Sequence, residues 1–393
     1  MIQTRVDEIV TLCQNLVQSP SLSGQEEKVA KKIQDFANQH NFDELTVDRF
    51  GNVAVVINGV EPGPTVLFDG HIDTVPVFEE NWTVNPYEAI VKDGKIWGRG
   101  TSDMKGSITA MLLAAKYFAE DCQKNFKGKI VISCSVHEEC FEGVATRLVS
   151  EQHQPNYVVI GEATNLKLNI GQRGRAEVIV ETFGKSAHSS NPDAGINAVN
   201  KMVTLIAEIN QLKNEEHPIL GKGILELTDF ISSPYPGASV VPSHARVTFD
   251  RRLLVNETRE SVLEPIQEII DRLEQEDEQF NAKVSFSSGS ELCYTGETIE
   301  AERFFPAWLY EADENFIAQT FENLKRIIPQ TELSHYSFCT NGSHFAGEAN
   351  IPTIGFGPSL EKLAHIDDEY IEIEQLVKAT EGYISIMETL TNL

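Results

Sequence analysis

Positive charge is scarce in this chain: 32 Lys and Arg stand against 59 Asp and Glu, for a formal net charge of −27. Phosphate backbones and anionic lipid surfaces are held by basic side chains, so nucleic acid and membrane are excluded as expected partners. Long apolar runs are also missing. No stretch approaches the roughly 20 residues that a spanning helix requires, and MIQTRVDEIVTLCQNLV has no cationic segment followed by a sustained apolar one. The six cysteines (13, 122, 134, 140, 293, 339) make no CxxC pair and no dense framework. That argues against a disulfide scaffold and for reduced thiols in a cytoplasmic protein. Internal repeats and low-complexity tracts are absent too. With 393 residues the chain exceeds one ordinary core, and two domains are expected.

What is present is an alternation of helices and strands. Apolar residues at helical spacing fill 4–18 (Val6, Ile9, Val10, Cys13, Leu16, Val17), and Ser19-Pro20 stops that helix. Ser23 and Glu26 have capping-box spacing and predict a second helix to about His40. Strands are expected at Leu45–Val47, Val53–Ile57, Thr65–Asp69, Lys129–Val136 and Tyr157–Ile160, with a hairpin over 90–98 turning at Asp93-Gly94. This alternation predicts a mostly parallel sheet with helices on both faces. From about residue 173 the pattern changes. Strands over 177–182, 223–227, 245–254 and 284–288, with helices over 194–212 and 259–274, make a small α+β module that would dimerise through a sheet edge or a helix. The first style returns after about Gly289, in a helix over 316–327 and a strand over 353–356. The expectation is one α/β domain (1–172 and 291–393) interrupted by a second (173–290).

The chemistry-bearing residues follow the predicted strands, where doubly wound sheets place their sites. FDGHIDTVP sets His71 two residues before Asp73, a ligand imidazole with a carboxylate to fix its tautomer. GRGTSDMKG puts Asp103 in a Gly-bounded loop before a helix, and Glu138-Glu139, Glu162 in GEAT and His365 in AHID complete the set. Two imidazoles and several carboxylates without a thiolate favour zinc, with manganese or cobalt as alternatives. A two-ion site would take one His each, a shared Asp and one Glu each. Of the adjacent Glu138 and Glu139, one would bind metal while the other reaches a water whose pKa the ion lowers to about 7. His137-Glu138 does not begin an HExxH motif, because Phe141 stands where the second His belongs. His40, His153, His217, His244 and His335 read as solvated surface, as does the acidic run Glu274–Glu278.

GHIDTVP, GRGTSDMKG, the 138–139 Glu pair, GEAT, GKSAHSSNPDAGINA, FDRRL and AHIDDEY together resemble the zinc-dependent M20 peptidase family. That family includes acetylornithine deacetylases, succinyl-diaminopimelate desuccinylases, aminoacylases and carboxypeptidases. The matching segments cover the whole chain in family order. The resemblance implies a zinc-peptidase-like α/β catalytic domain interrupted by a ferredoxin-like dimerisation or lid domain, in a homodimer. It implies that His71, Asp103 and Glu162 bind one zinc, and that Asp103, Glu139 and His365 bind the other. Asp73 would orient His71, Glu138 would be the general base, and His188 would stabilise the oxyanion in the partner subunit's site. A cis peptide is implied at Asp103-Met104. Arg252 matches an arginine that binds a substrate carboxylate, with a salt bridge to Asp250 as the competing reading; Asn341 and His344 are further substrate-binding candidates, in a stretch that departs from the family's commoner one. Arg173 and Arg175 line the site or pair with Glu177. GQRGRAE, ELTDFISSPYPGASVVP and HYSFCTNGSHFAGEA most resemble a subgroup of hydrolases associated with selenium metabolism, an association that identifies no substrate. The expected activity is metal-dependent hydrolysis of an amide in an N-acyl amino acid or short peptide. Dipeptidase or aminopeptidase action is the alternative within the family, and a catalytically silent ligand-binding dimer is the alternative outside it.

Overall fold

The computed structural model describes Met1 and residues 3–393. Two compact units emerge, one of Met1–Gln172, Ser290–Ala301 and Trp308–Leu393, the other of Arg173–Gly289 and Glu302–Ala307.

The first unit is built on a nine-stranded sheet. Its centre runs Lys127–Ser135, Glu61–His71, Tyr157–Ile160, Thr353–Gly355, all parallel. Antiparallel pairs extend it on one side through Val53–Asn58 and Glu44–Val47, and on the other through Leu168–Gln172 and Trp308–Leu309, with Leu333–Tyr336 added in parallel to Leu168–Gln172. The sheet expected to be mostly parallel is thus parallel through its middle and antiparallel towards its edges. Val66, Leu67, Phe68, Val131 and Ile132 are wholly buried, because central strands covered on both faces read as continuous apolar runs.

Packing at the strand ends depends on two glycines. Gly70 and Gly161 each precede a candidate ligand, and a Cβ at either would lie within 2.9 Å of the Met104 Cε. A hydrogen there leaves the end of the Met104 side chain, next to Asp103, room against the sheet; a Cβ would make it shift. The helix Gly106–Asp121 follows at once and buries Ile108, Met111, Leu112 and Ala115.

The second unit runs strand–helix–strand–strand–helix–strand. Its antiparallel order is Ile224–Ser233, His244–Leu253, Gly174–Phe183, Ala282–Phe286, with the short Phe304–Phe305 also on Gly174–Phe183. This is the ferredoxin-like connection. Ala176, Val178, Val180, Val247 and Phe249 alternate inward and bury Met202, Leu205 and Ile209 of Ala198–Ile209 together with Ile266 and Ile270 of Arg259–Glu276. Ile224–Ser233 forms one edge and exposes Phe230 (43%) and Ile231 (57%).

Some local expectations fail. The helix begins at Glu27 with Glu26 at its N-cap and no side-chain cap; Ser23, three residues ahead of that position, donates to Asp73 (2.7 Å), and Glu26 accepts from the Gly24 N–H (2.9 Å). His153, expected at the surface, is buried. The 90–98 hairpin forms as Ile90–Lys92 and Lys95–Trp97, with positive φ at Asp93 and Gly94. Among the described residues, no helix is long and apolar enough to cross a membrane, and none of the six cysteines forms a disulfide.

Candidate metal centre

His71, the Glu138-Glu139 pair and Glu162 leave the carboxyl ends of three neighbouring parallel strands. His71 lies opposite Ser135 in one pairing, and Asp69 lies opposite Ile160 in the other. Asp103 arrives on the turn Thr101–Lys105 before its helix. His365 arrives from the C-terminal segment, whose strand Tyr370–Glu372 pairs with Lys95–Trp97 just ahead of the Asp103 loop.

These side chains meet on one carboxylate. Asp103 Oδ1 lies 2.9 Å from His71 Nε2 and Oδ2 lies 3.1 Å from His365 Nε2. Glu162 flanks His71 at 3.4 Å, and Glu139 flanks His365 at 2.9 Å. Glu138 offers an oxygen within 4.8 Å of ligand atoms of His71 and Glu162. His71, Glu138 and Glu162 are buried, whereas the His365 side chain is 54% exposed and marks the open side. The peptide Asp103-Met104 is cis.

The electrostatics are those of too many carboxylates in too little water. Burial, then Glu162 and Glu139, push Glu138 well above the usual carboxylate range despite the nearby His71. Burial, then Asp103, pushes Glu139 up to about 7. Burial would raise Asp103 as well, but His365 and His71 hold it down. The same contacts raise His365 to about 10, through Asp103 first and then Glu139. This imidazole and carboxylate set, without thiolate, fits divalent cations that take nitrogen and oxygen donors. Donor atoms of His71, Asp103 and Glu139, and of His71, Glu138 and Glu162, lie within 4.8 Å of one another and could hold a cation.

A frame of hydrogen bonds holds the donors. His71 Nδ1 meets the main-chain carbonyl of Asp73 at 2.9 Å, with the Asp73 carboxylate at 3.5 Å. That carboxylate also accepts the main-chain N–H groups of Glu138 and Glu139, each at 3.2 Å. Asp73 thereby ties His71 to the glutamate pair. Glu369, which the sequence reading passed over inside AHIDDEY, does the same for the bridging aspartate. It is fully buried, accepts from the N–H groups of Gly100 (3.0 Å), Ser102 (2.7 Å) and Asp103 (3.1 Å), and pairs with Arg99 (2.8 Å). Lys105 lies buried nearby, donating to the Ser19 carbonyl, and burial lowers it to about 7 against the pull of Glu369 and Asp73. One signal could have found Glu369: a tight Gly-rich loop exposes main-chain N–H groups that must find an acceptor.

Two expected substrate-binding residues are engaged elsewhere. The Asn341 amide donates to Asp69 (2.8 Å) and Ser135 (2.9 Å), and its oxygen accepts from Gly143 (2.7 Å). Both amide N–H groups and one acceptor position of that side chain are committed inside the fold. His344 spends both ring nitrogens, on Ser150 (2.7 Å) and Glu348 (2.9 Å), and Arg147 clasps the same glutamate. Arg252, in the second unit, binds Asp250 through Nε at 2.7 Å. Arg175 pairs with Glu177 and Asp250. His188 is an exposed residue of the same unit.

Residues 67–389 match the model of peptidase family M20/M25/M40. The chain belongs to the M20 peptidase family. An uncharacterised Escherichia coli K12 protein, YgeY, is 32% identical over 389 residues, covering 96% of this chain and 93% of its own. The succinyl-diaminopimelate desuccinylase of Vesicomyosocius okutanii is 27% identical over 399 residues, covering 98% of this chain and all of its own. The crystal structure of the Bacillus cereus aminopeptidase PepT shares the fold at a TM-score of 0.76 and 19% identity, over 98% of both chains. As an M20 chain, this is a metallohydrolase of the peptidase and desuccinylase type.

Proposed function

We propose that this M20 chain is a cytoplasmic, zinc-dependent amidohydrolase that removes the acyl group from an N-acyl amino acid, and that it works as a homodimer. The observation that carries the reading is the single carboxylate of Asp103 held between His71 and His365, with Glu162 and Glu139 at their sides. Bound divalent cations would supply Lewis acidity towards water and the scissile carbonyl. Glu138, buried beside His71 and Glu162, takes the proton of the attacking water and returns it to the leaving amine. Asp73 keeps that glutamate in register with His71.

His188 suits the oxyanion role. Its Nδ1 accepts the Ser190 main-chain N–H at 3.1 Å, which leaves Nε2 as the ring nitrogen able to donate. The open edge Ile224–Ser233 is the surface proposed for pairing with a second copy. His188→Ala is expected to lower kcat by about 10²–10³ with little change in metal content, the cost of losing one oxyanion donor. Mixing inactive His188→Ala with inactive Glu138→Ala under subunit exchange should restore part of the activity. No recovery would argue against a site completed by the partner subunit.

The reaction class is tested by incubating the metal-loaded enzyme with a panel of N-acyl amino acids and dipeptides, each as the free acid and as the C-terminal amide. Preference for the free acids of N-acyl amino acids supports the reading, with Arg252 as the proposed carboxylate partner. Equal turnover of amidated peptides supports the aminopeptidase alternative. No turnover with metal bound supports the silent dimer.

A further inference from the structure

The segment Ser21–Glu26 runs alongside the metal-site loop. Leu22 bridges Thr74 in parallel, Thr74 N–H donates to the Ser21 carbonyl (2.8 Å), and Ser21 Oγ donates to the Ile72 carbonyl (2.6 Å). Ser23 then donates to the very carboxylate oxygen of Asp73 that receives the Glu139 N–H. Glu26 lies beneath this contact, fully buried. Its Oε1 accepts the Gly24 N–H at 2.9 Å. Its carboxyl also faces the main chain of His137, with Oε2 short of any hydrogen bond. Burial, then the neighbouring Asp73 carboxylate, pushes Glu26 up to about 7, as two acids sharing one interior should behave.

The turn next to Glu138 is tightly confined. His137 is buried in the left-handed region (φ 55°), a conformation unfavourable for a residue with a Cβ. Gly24, also left-handed (φ 83°), sits between the two sides: a Cβ there would meet the Leu292 carbonyl oxygen at 2.6 Å and the His137 Cε1 at 3.6 Å. The His137 ring is therefore packed against Gly24, while the main-chain N–H groups of Glu138 and Glu139 are bonded to Asp73.

We infer that Glu26, acting with Ser23 through Asp73 and the main chain of His137, is a positioning residue for the Glu138-Glu139 pair. It touches neither metal nor substrate. It holds the N-terminal turn in the shape that keeps Asp73 on both glutamate amides, and so sets the reach of the base and of the adjoining ligand together. The inference rests on the reading of Glu138 as base and Glu139 as ligand.

The test uses the full-length enzyme loaded with cobalt, in the variants Glu26→Ala, Glu26→Gln and Ser23→Ala. Measurements are kcat and KM on the N-acyl amino acid that wild type turns over fastest in the panel above, cobalt stoichiometry, visible cobalt absorption and Tm. A displacement of about 1 Å at a reacting group costs on the order of 10²-fold. Glu26→Ala is therefore expected to lower kcat by about that factor with KM within about twofold. Cobalt should stay bound with shifted visible bands, because the Glu139 side of the site moves. Glu26→Gln, which keeps the acceptor for Gly24, should recover part of kcat. Ser23→Ala should lower kcat several-fold with a smaller shift of the same bands, and it decides the matter if Glu26→Ala does not fold. Wild-type kcat and cobalt bands in the folded variants would overturn the inference, as would a loss of activity that follows only the loss of folded protein. Those results with Glu138→Ala inactive would sink the positioning role alone. An active Glu138→Ala would instead remove the base on which it rests.

Discussion

Replacing Glu138 by Ala is expected to leave the metal content intact and to reduce turnover by about 10²–10⁴-fold, the contribution of a positioned general base. The expectation follows from where the side chain sits. Glu138 is buried, its main-chain N–H is held by Asp73, and its carboxylate lies among ligand atoms of His71 and Glu162. In such a place a carboxylate serves either as a ligand or as the group that handles the water's proton. Elemental analysis of the variant separates these roles. Retained metal with turnover gone identifies a base, whereas metal lost in proportion to activity identifies a ligand. A variant that keeps both metal and wild-type rate would remove Glu138 from the mechanism.

Asp103→Ala should have the broader effect. Both imidazoles meet this carboxylate, one on each oxygen, so its removal withdraws a donor from both halves of the centre at once. Metal analysis after dialysis is expected to find both ions depleted, with activity falling to background. Loss of a single peripheral ligand such as Glu162 should instead weaken one ion. Folding is a separate measurement here, since Asp103 also occupies a loop that Glu369 holds through three amides. Preserved far-ultraviolet circular dichroism together with metal loss is the expected combination. Retention of one full equivalent of tightly held metal would contradict a shared ligand.

The two variants probe the part of this protein that its sequence displays most openly. His71, Asp103, the Glu138-Glu139 pair, Glu162 and His365 are legible because each sits in a short segment just after an apolar strand or in a Gly-bounded loop, and because only a few residue types bind divalent cations. The strands beneath them are legible for a related reason: doubly covered strands must be apolar throughout, as Val53–Ile57 and Val66–Phe68 are. The alternation of Ala176, Val178 and Val180 likewise announces a sheet with one buried face.

The partners of those residues are not legible in the same way. Ser23 and Glu26 have capping-box spacing, yet the serine turns to Asp73 and the helix starts without it. Asn341 and His344 resemble residues of an open site, yet one is consumed by Asp69, Ser135 and Gly143 and the other by Ser150 and Glu348. Glu369 stands four residues after a candidate ligand, and nothing nearby in the chain says that it serves the loop from Gly100 to Asp103.

From the sequence alone follow the candidate donors, the strand ends that carry them, the α+β insertion and the family. Each is written in local pattern or in residue chemistry, which need no knowledge of what lies opposite. Only the tertiary structure decides which buried donor meets which buried acceptor. Ser23 and Asp73, or Arg99 and Glu369, stand 50 and 270 residues apart. A desolvated N–H or O–H goes to the strongest acceptor within reach, and what is within reach is settled by packing rather than by spacing along the chain.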